Sequence, residues 1–93
     1  MGMNPRYQTW SSAQWMNRAG TVGELQTQGW PVMARCLTCS LEMDVKLDVL
    51  MRERGAELSL WGRSARCRSR RCQGRMYFWA FPPQAGGKAV EMF

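Results

Sequence analysis

The sequence contains no histidine. That absence removes the usual base of a serine or cysteine nucleophile and the usual nitrogen ligand of a catalytic zinc ion. Long apolar runs are missing too, and no stretch approaches the roughly 20 residues that a membrane-spanning helix needs. The start of the chain, Met1-Gly2-Met3-Asn4-Pro5-Arg6-Tyr7-Gln8, is polar and broken by proline, with no apolar segment of the secretory kind behind it. Position 6 is Arg rather than Ser or Thr, so Met1-Gly2 does not make a myristoylation pattern. These features predict a cytoplasmic protein without a membrane anchor. Acidic residues are also missing from one region. The seven are Glu24, Glu42, Asp44, Asp48, Glu53, Glu57 and Glu91, and none lies between 58 and 90. No catalytic constellation remains, and the chain is read as a non-enzyme.

What is present starts with cysteine. A chain of 93 residues is one small domain, and a domain of that size buries too little apolar surface to be comfortably stable by packing alone. Such scaffolds add a staple, and the four cysteines are the available one. A secreted chain would pair them as disulfides, whereas a reducing compartment leaves thiols free for a metal. The first pair is Cys36-Leu37-Thr38-Cys39 and the second is Cys67-Arg68-Ser69-Arg70-Arg71-Cys72. Two short turns supplying two thiolates each fit a tetrahedral zinc ion, and their backbone N–H groups can offset the sulfur charge. One structural Zn2+ held by Cys36, Cys39, Cys67 and Cys72 is therefore expected. Reduced core cysteines are the plainer alternative, but the arginines between Cys67 and Cys72 belong to a surface loop. A thioredoxin-like redox pair lacks its flanking βαβ pattern.

The segments around the cysteines predict an α+β fold, a small zinc-ribbon-like domain with short antiparallel strands and one or two short helices. Residues 1–20 read as a flexible arm, with a short helix over 11–18, ending near Gly20, as the alternative. Thr21 followed three residues later by Glu24 is a capping-box pattern, and Gly29 suits a C-terminal cap, so a helix is expected over 22–28. Residues 30–35 lead into the first pair as an extended segment. Leu41, Met43, Val45 and Leu47 alternate with charged residues, as in a half-buried strand. From Leu47 the period becomes helical, and Gly55 can end that helix. Leu58, Leu60 and Trp61 suggest a further strand, and Met76–Phe81 an aromatic one stopped by Pro82-Pro83. The domain is placed at 21–83, with a frayed tail over 84–93. The strand faces Met76/Phe78/Ala80 and Tyr77/Trp79/Phe81 cannot be told apart as inner and outer.

Arg63, Arg66, Arg68, Arg70, Arg71 and Arg75 surround the second pair. Arginine suits phosphate oxygens and stacks on bases, so DNA or RNA is one expected partner. Trp61, Tyr77 and Trp79 lie near enough in sequence to add stacking surfaces. An acidic protein partner is the alternative, as is simple compensation of a four-thiolate zinc site by Arg68 and Arg71. An adaptor role would use Trp10, Trp15, Met16 and Trp30 as apolar surface. The oligomeric state is not readable.

The words Thr21-Val22-Gly23-Glu24-Leu25, Arg35-Cys36-Leu37-Thr38-Cys39, Met43-Asp44-Val45-Lys46-Leu47, Ser59-Leu60-Trp61-Gly62-Arg63, Arg66-Cys67-Arg68 and Cys72-Gln73-Gly74-Arg75 together resemble small alphaproteobacterial zinc-ribbon proteins, over about residues 21–80. The resemblance implies the same four zinc ligands and no established activity. Ser40 departs from it, standing where such knuckles carry glycine, the residue that tolerates positive φ.

Overall fold

The strand Arg75–Ala80 organises the molecule, because every edge it has is used. The computed structural model describes residues 10–93. Three helices, α1 (Ser12–Arg18), α2 (Val22–Thr27) and α3 (Leu47–Arg54), accompany strands β1 (Val32–Cys36), β2 (Glu42–Asp44), β3 (Ser64–Arg66), β4 (Arg75–Ala80) and β5 (Val90–Glu91). All pairings are antiparallel, and the fold is α+β as expected. β1 runs along one edge of β4, from Val32 opposite Ala80 to Cys36 opposite Met76, and β2 continues the sheet beyond it. The other edge is shared. β3 pairs with Arg75–Tyr77, and β5 with Trp79 and Ala80.

This register sorts side chains by parity. Val32, Ala34, Cys36, Met76, Phe78, Ala80 and Val90 share the inner face, and all but the half-buried Phe78 are buried. Trp15, Val22, Leu25, Trp30, Leu60 and Met92 pack over that face, and Leu47, Leu50 and Met51 of α3 close in from the side. Trp15 and Trp30 meet nearly edge to face, with centroids 5.6 Å apart. A smaller cluster of Ala34, Cys36, Cys67 and Met76 lies beside it, and Val45 and Phe78 pack against both.

Helix α2 follows the sequence signals closely. The Thr21 hydroxyl accepts from the Glu24 N–H at 3.2 Å. At the other end Gly29 has φ +71°, and its N–H bonds to Gln26 O, while the Trp30 N–H bonds to Leu25 O. That is a Schellman closure, with Leu25 and Trp30 as its buried apolar pair.

Four expectations change. The half-buried strand expected from the alternation of Leu41, Met43, Val45 and Leu47 forms only over Glu42–Asp44, on the outer edge of the sheet, where all three residues are exposed. From residue 10 onward the expected arm is docked: α1 forms behind a capping box between Ser11 and Gln14, and Trp15 is 2% exposed. Residues 1–9 of that arm lie outside the described residues. The strand expected at 58–61 is a loop and turn, since the carbonyls of Ala56 and Leu58 accept from the N–H groups of Gly23 and Val22 at the start of α2. Its backbone satisfies a helix terminus instead of a ladder, and the strand forms at Ser64–Arg66. The tail expected to fray over 84–93 supplies β5, and Val90 and Met92 enter the core. An alternating pair of apolar residues is too short a pattern to mark a strand without its partner.

Candidate metal centre

The sheet carries the two cysteine turns to one end. Cys36 ends β1, so the chain turns immediately after it. The Ser40 N–H closes that turn on Cys36 O at 3.0 Å, and the Cys36 N–H bonds to Leu41 O at 2.9 Å as the chain returns toward β2. Cys67 follows β3, and its N–H bonds to Gly74 O at 3.0 Å, just before β4. The link between the turns is the Leu37 N–H, which reaches Arg75 O at 3.4 Å.

All four sulfurs lie within 4.8 Å of one another. Cys36 Sγ and Cys72 Sγ are 3.6 Å apart, as are Cys39 Sγ and Cys67 Sγ. No disulfide joins them. Four thiolates about 2.3 Å from one ion at tetrahedral angles would be separated by about 3.8 Å, so the tetrad can hold a metal ion with little adjustment. Backbone donors face the sulfurs. Thr38 and Cys39 N–H point at Cys36 Sγ at 3.4 and 3.5 Å, Ser69 N–H at Cys67 Sγ at 3.4 Å, and Gly74 N–H at Cys72 Sγ at 3.3 Å.

Without a cation the thiols titrate unequally. The Cys39 N–H has the largest influence on Cys36 and, with the Thr38 N–H, lowers it to about 6 against the opposing effect of burial. At Cys67 the Ser69 N–H acts downward most strongly, yet burial and the neighbouring cysteines together push the thiol up to about 12. Cys72 is also raised: the Gly74 N–H lowers it, and burial with Cys36 and Cys39 outweighs that donor. Four thiolates this close require positive charge among them.

Two backbone features complete the centre. Ser40 adopts φ +65°, the left-handed conformation for which glycine is the cheapest residue. Gly74 has no space for a side chain, since a Cβ there would lie 2.7 Å from Thr38 Cβ and 3.0 Å from Cys36 Sγ. Gly74 received no role from the sequence. The available signal was its position two residues after Cys72, where its N–H meets the sulfur and its Cα meets the opposite turn.

The six arginines are all exposed. Arg68, Arg70 and Arg71 lie in the second turn. Arg66 and Arg75 are cross-strand partners at its base, and Arg63 lies just before β3. Among the described residues, no acidic group pairs with any of them. The one ion pair there joins Arg35 and Glu42, at 3.7 Å. Arg75 donates to Ser64 through Nε at 2.9 Å and through its guanidinium NH2 to Ser64 O at 3.1 Å. Of the aromatics expected near the patch, Trp61 instead donates its indole N–H to Ala19 O at 2.8 Å and packs on the core. The adaptor surface does not survive as expected, since Trp15 and Trp30 are 2% and 1% exposed. No helix among the described residues is long and apolar enough to cross a membrane.

Comparison of the chain with protein-family models, with curated proteins and with solved structures finds no match in any of the three. The resemblance to alphaproteobacterial zinc-ribbon proteins thus rests on the sequence words alone.

Proposed function

We propose that this chain is a small non-catalytic zinc module that binds nucleic acid through the arginines of its second cysteine turn. The observation that carries the reading is the juxtaposition of a four-sulfur site with exposed arginines that have no acidic partner among the described residues. Zinc suits an all-thiolate tetrahedral site, and four protein ligands leave no open position for substrate, so the ion is structural. Cys36 and Cys39 would hold it from one side, Cys67 and Cys72 from the other. Four thiolates and one Zn2+ contribute −2 together, which leaves the formal +6 of the chain at about +4. Excess arginine beyond local compensation is free to meet phosphates. Arg68, Arg70 and Arg71 are the primary contacts, with Arg63, Arg66 and Arg75 at the base of the turn.

The test uses zinc-loaded protein and labelled DNA and RNA, with anisotropy followed across a salt series. Affinity should fall steeply with salt, by a slope of about 0.7–0.9 per phosphate contact in a log–log plot. The double variant Arg68→Glu/Arg70→Glu should lose binding while keeping its zinc and its thermal midpoint. Binding that ignores both salt and these charges would refute the nucleic-acid reading. Metal analysis should give one zinc per chain, and a different stoichiometric metal would refute the zinc assignment.

A further inference from the structure

The face of the sheet turned away from the helices carries an aromatic cluster. Residues of its parity are Met33 and Arg35 on β1, Ser64 and Arg66 on β3, Arg75, Tyr77 and Trp79 on β4, and Glu91 on β5. None of them belongs to either core cluster. Phe93 continues the parity of Glu91 and lies against both rings of β4. Its centroid is 5.0 Å from Tyr77 at an interplanar angle of 55°, and 4.9 Å from Trp79 at 79°. The rings are thus neither stacked on nor parallel to one another. Phe93 is 48% exposed, and Tyr77 and Trp79 are half-buried, so each ring keeps part of its surface open.

Charge is graded along this face. Arg66 and Arg75 stand beside each other at the cysteine end, Tyr77 follows Arg75 by one step of the same face, and Arg35 lies opposite Tyr77 on β1. Beyond the basic end lie Arg68, Arg70 and Arg71. Acidic residues lie toward the other end and the outer edge, with Glu91 beside Trp79 and Asp44 opposite Met33, while Glu42 on the outer strand β2 is taken up by its ion pair with Arg35. A polyanion is therefore admitted from the cysteine end and repelled at the far margins.

We propose that Tyr77, Trp79 and Phe93 form a platform on which unpaired bases of a single-stranded nucleic acid stack, while its phosphates run past Arg66, Arg75 and the second cysteine turn. The inference rests on the nucleic-acid reading above and adds which form of nucleic acid is selected. Aromatic rings on an open sheet face can stack only on bases freed from a duplex, because paired bases already stack on each other. Arginine alone would not discriminate, since it reads phosphates of either form. Rings and arginines on one surface give the two contacts that a single strand offers together.

The experiment compares binding of the zinc-loaded chain to a labelled mixed-sequence 12-mer and to its duplex, for the unaltered chain and for Trp79→Ala, Phe93→Ala and Trp79→Phe. The single strand should bind at least about tenfold more tightly than the duplex, and either alanine variant should weaken it about tenfold without changing duplex binding. Trp79→Phe should recover most of the loss. Should Trp79→Ala fail to fold, Phe93→Ala carries the same comparison from an exposed position. Equal affinity for both forms, unaffected by the alanine variants but abolished by Arg68→Glu/Arg70→Glu, would overturn the platform and leave the nucleic-acid reading standing. No binding to either form at low salt would end both. A dimer in sedimentation that Phe93→Ala dissolves, with no preference for the single strand, would give the rings to a second copy of the chain and overturn the proposal.

Discussion

A methyl group at position 74 would press on Thr38 and on the sulfur of Cys36 at once. The opposing atoms belong to a short turn tied by its own hydrogen bonds and to a candidate ligand, so neither has an easy direction of retreat. Gly74→Ala should therefore cost about 1–3 kcal/mol, as overpacking does, and weaken zinc binding in a competition with a chromogenic chelator. Ser40 predicts the opposite sign. Its φ of +65° costs a side-chain-bearing residue about 1 kcal/mol, and Ser40→Gly should return about 0.5–1 kcal/mol in urea unfolding of the zinc-loaded protein, less the flexibility glycine adds to the unfolded chain. The thiols themselves would make binding of the proposed zinc depend on pH. In metal-free protein at neutral pH, Cys36, lowered to about 6, is already a thiolate, whereas Cys67, raised to about 12, and Cys72, also raised, hold their protons. Zinc must displace at least the latter two, so its affinity should rise with pH by at least about a hundredfold per unit near neutrality. Calorimetry in buffers of different ionisation enthalpy measures the protons released, and none released would contradict this account.

At the scale of elements, α1 depends on one side chain. Seven residues cannot hold a helix alone in water, and among them only Trp15 is buried. It packs between Trp10, at 4.8 Å, and Trp30. The Gln28 side-chain amide also donates to Arg18 O and ties the end of α1 to α2. Trp15→Ala should cost about 3–5 kcal/mol and release α1, which amide hydrogen exchange over residues 12–18 would register as lost protection. Unchanged protection would mean that the cap and the Gln28 bond hold the helix without the ring. The strand β5 is short in the same way. Its two residues gain a place through β4, through the Met92 N–H on Phe78 O, and through the Gly62 N–H on Met92 O, which joins it to the loop before β3.

On the scale of the whole molecule, the fold has two clusters of unequal size. The larger is apolar and spans Trp15 to Met92, while the smaller is built around two of the cysteines. Phe78 and Val45 pack against both, so the sulfur site and the apolar core are not independent. Removal of the proposed zinc would leave four sulfurs that nothing holds together at the end of three strands, and loss of that end should spread through β4. Cys39→Ser, or chelation of the metal, should accordingly abolish the cooperative thermal transition or lower it by tens of degrees. A sharp transition at an unchanged midpoint in protein free of zinc would remove the structural role assigned to the ion.

Local chemistry made much of this legible in the sequence. The spacing Cys36–Cys39 and Cys67–Cys72 announced two turns, Thr21 and Glu24 with Gly29 bounded a helix, and the change of period at Leu47 marked the passage from β2 to α3. The capping box of Ser11 and Gln14 emerged only with the structure, because a polar helix with one buried ring has no period to draw attention to it. What the chain could not disclose depends on partners distant in sequence. Leu58 and Leu60 look like a strand until their backbone neighbours are known, and those neighbours are the first N–H groups of α2. Val90 and Met92 became core because the upper half of β4 had an open edge, while β3 took the lower half. As text, both faces of β4 are apolar enough to be the buried one. Only the register with β1, which sets Cys36 opposite Met76, decides that Met76 and Phe78 turn inward and that Tyr77 and Trp79 face away from the helices.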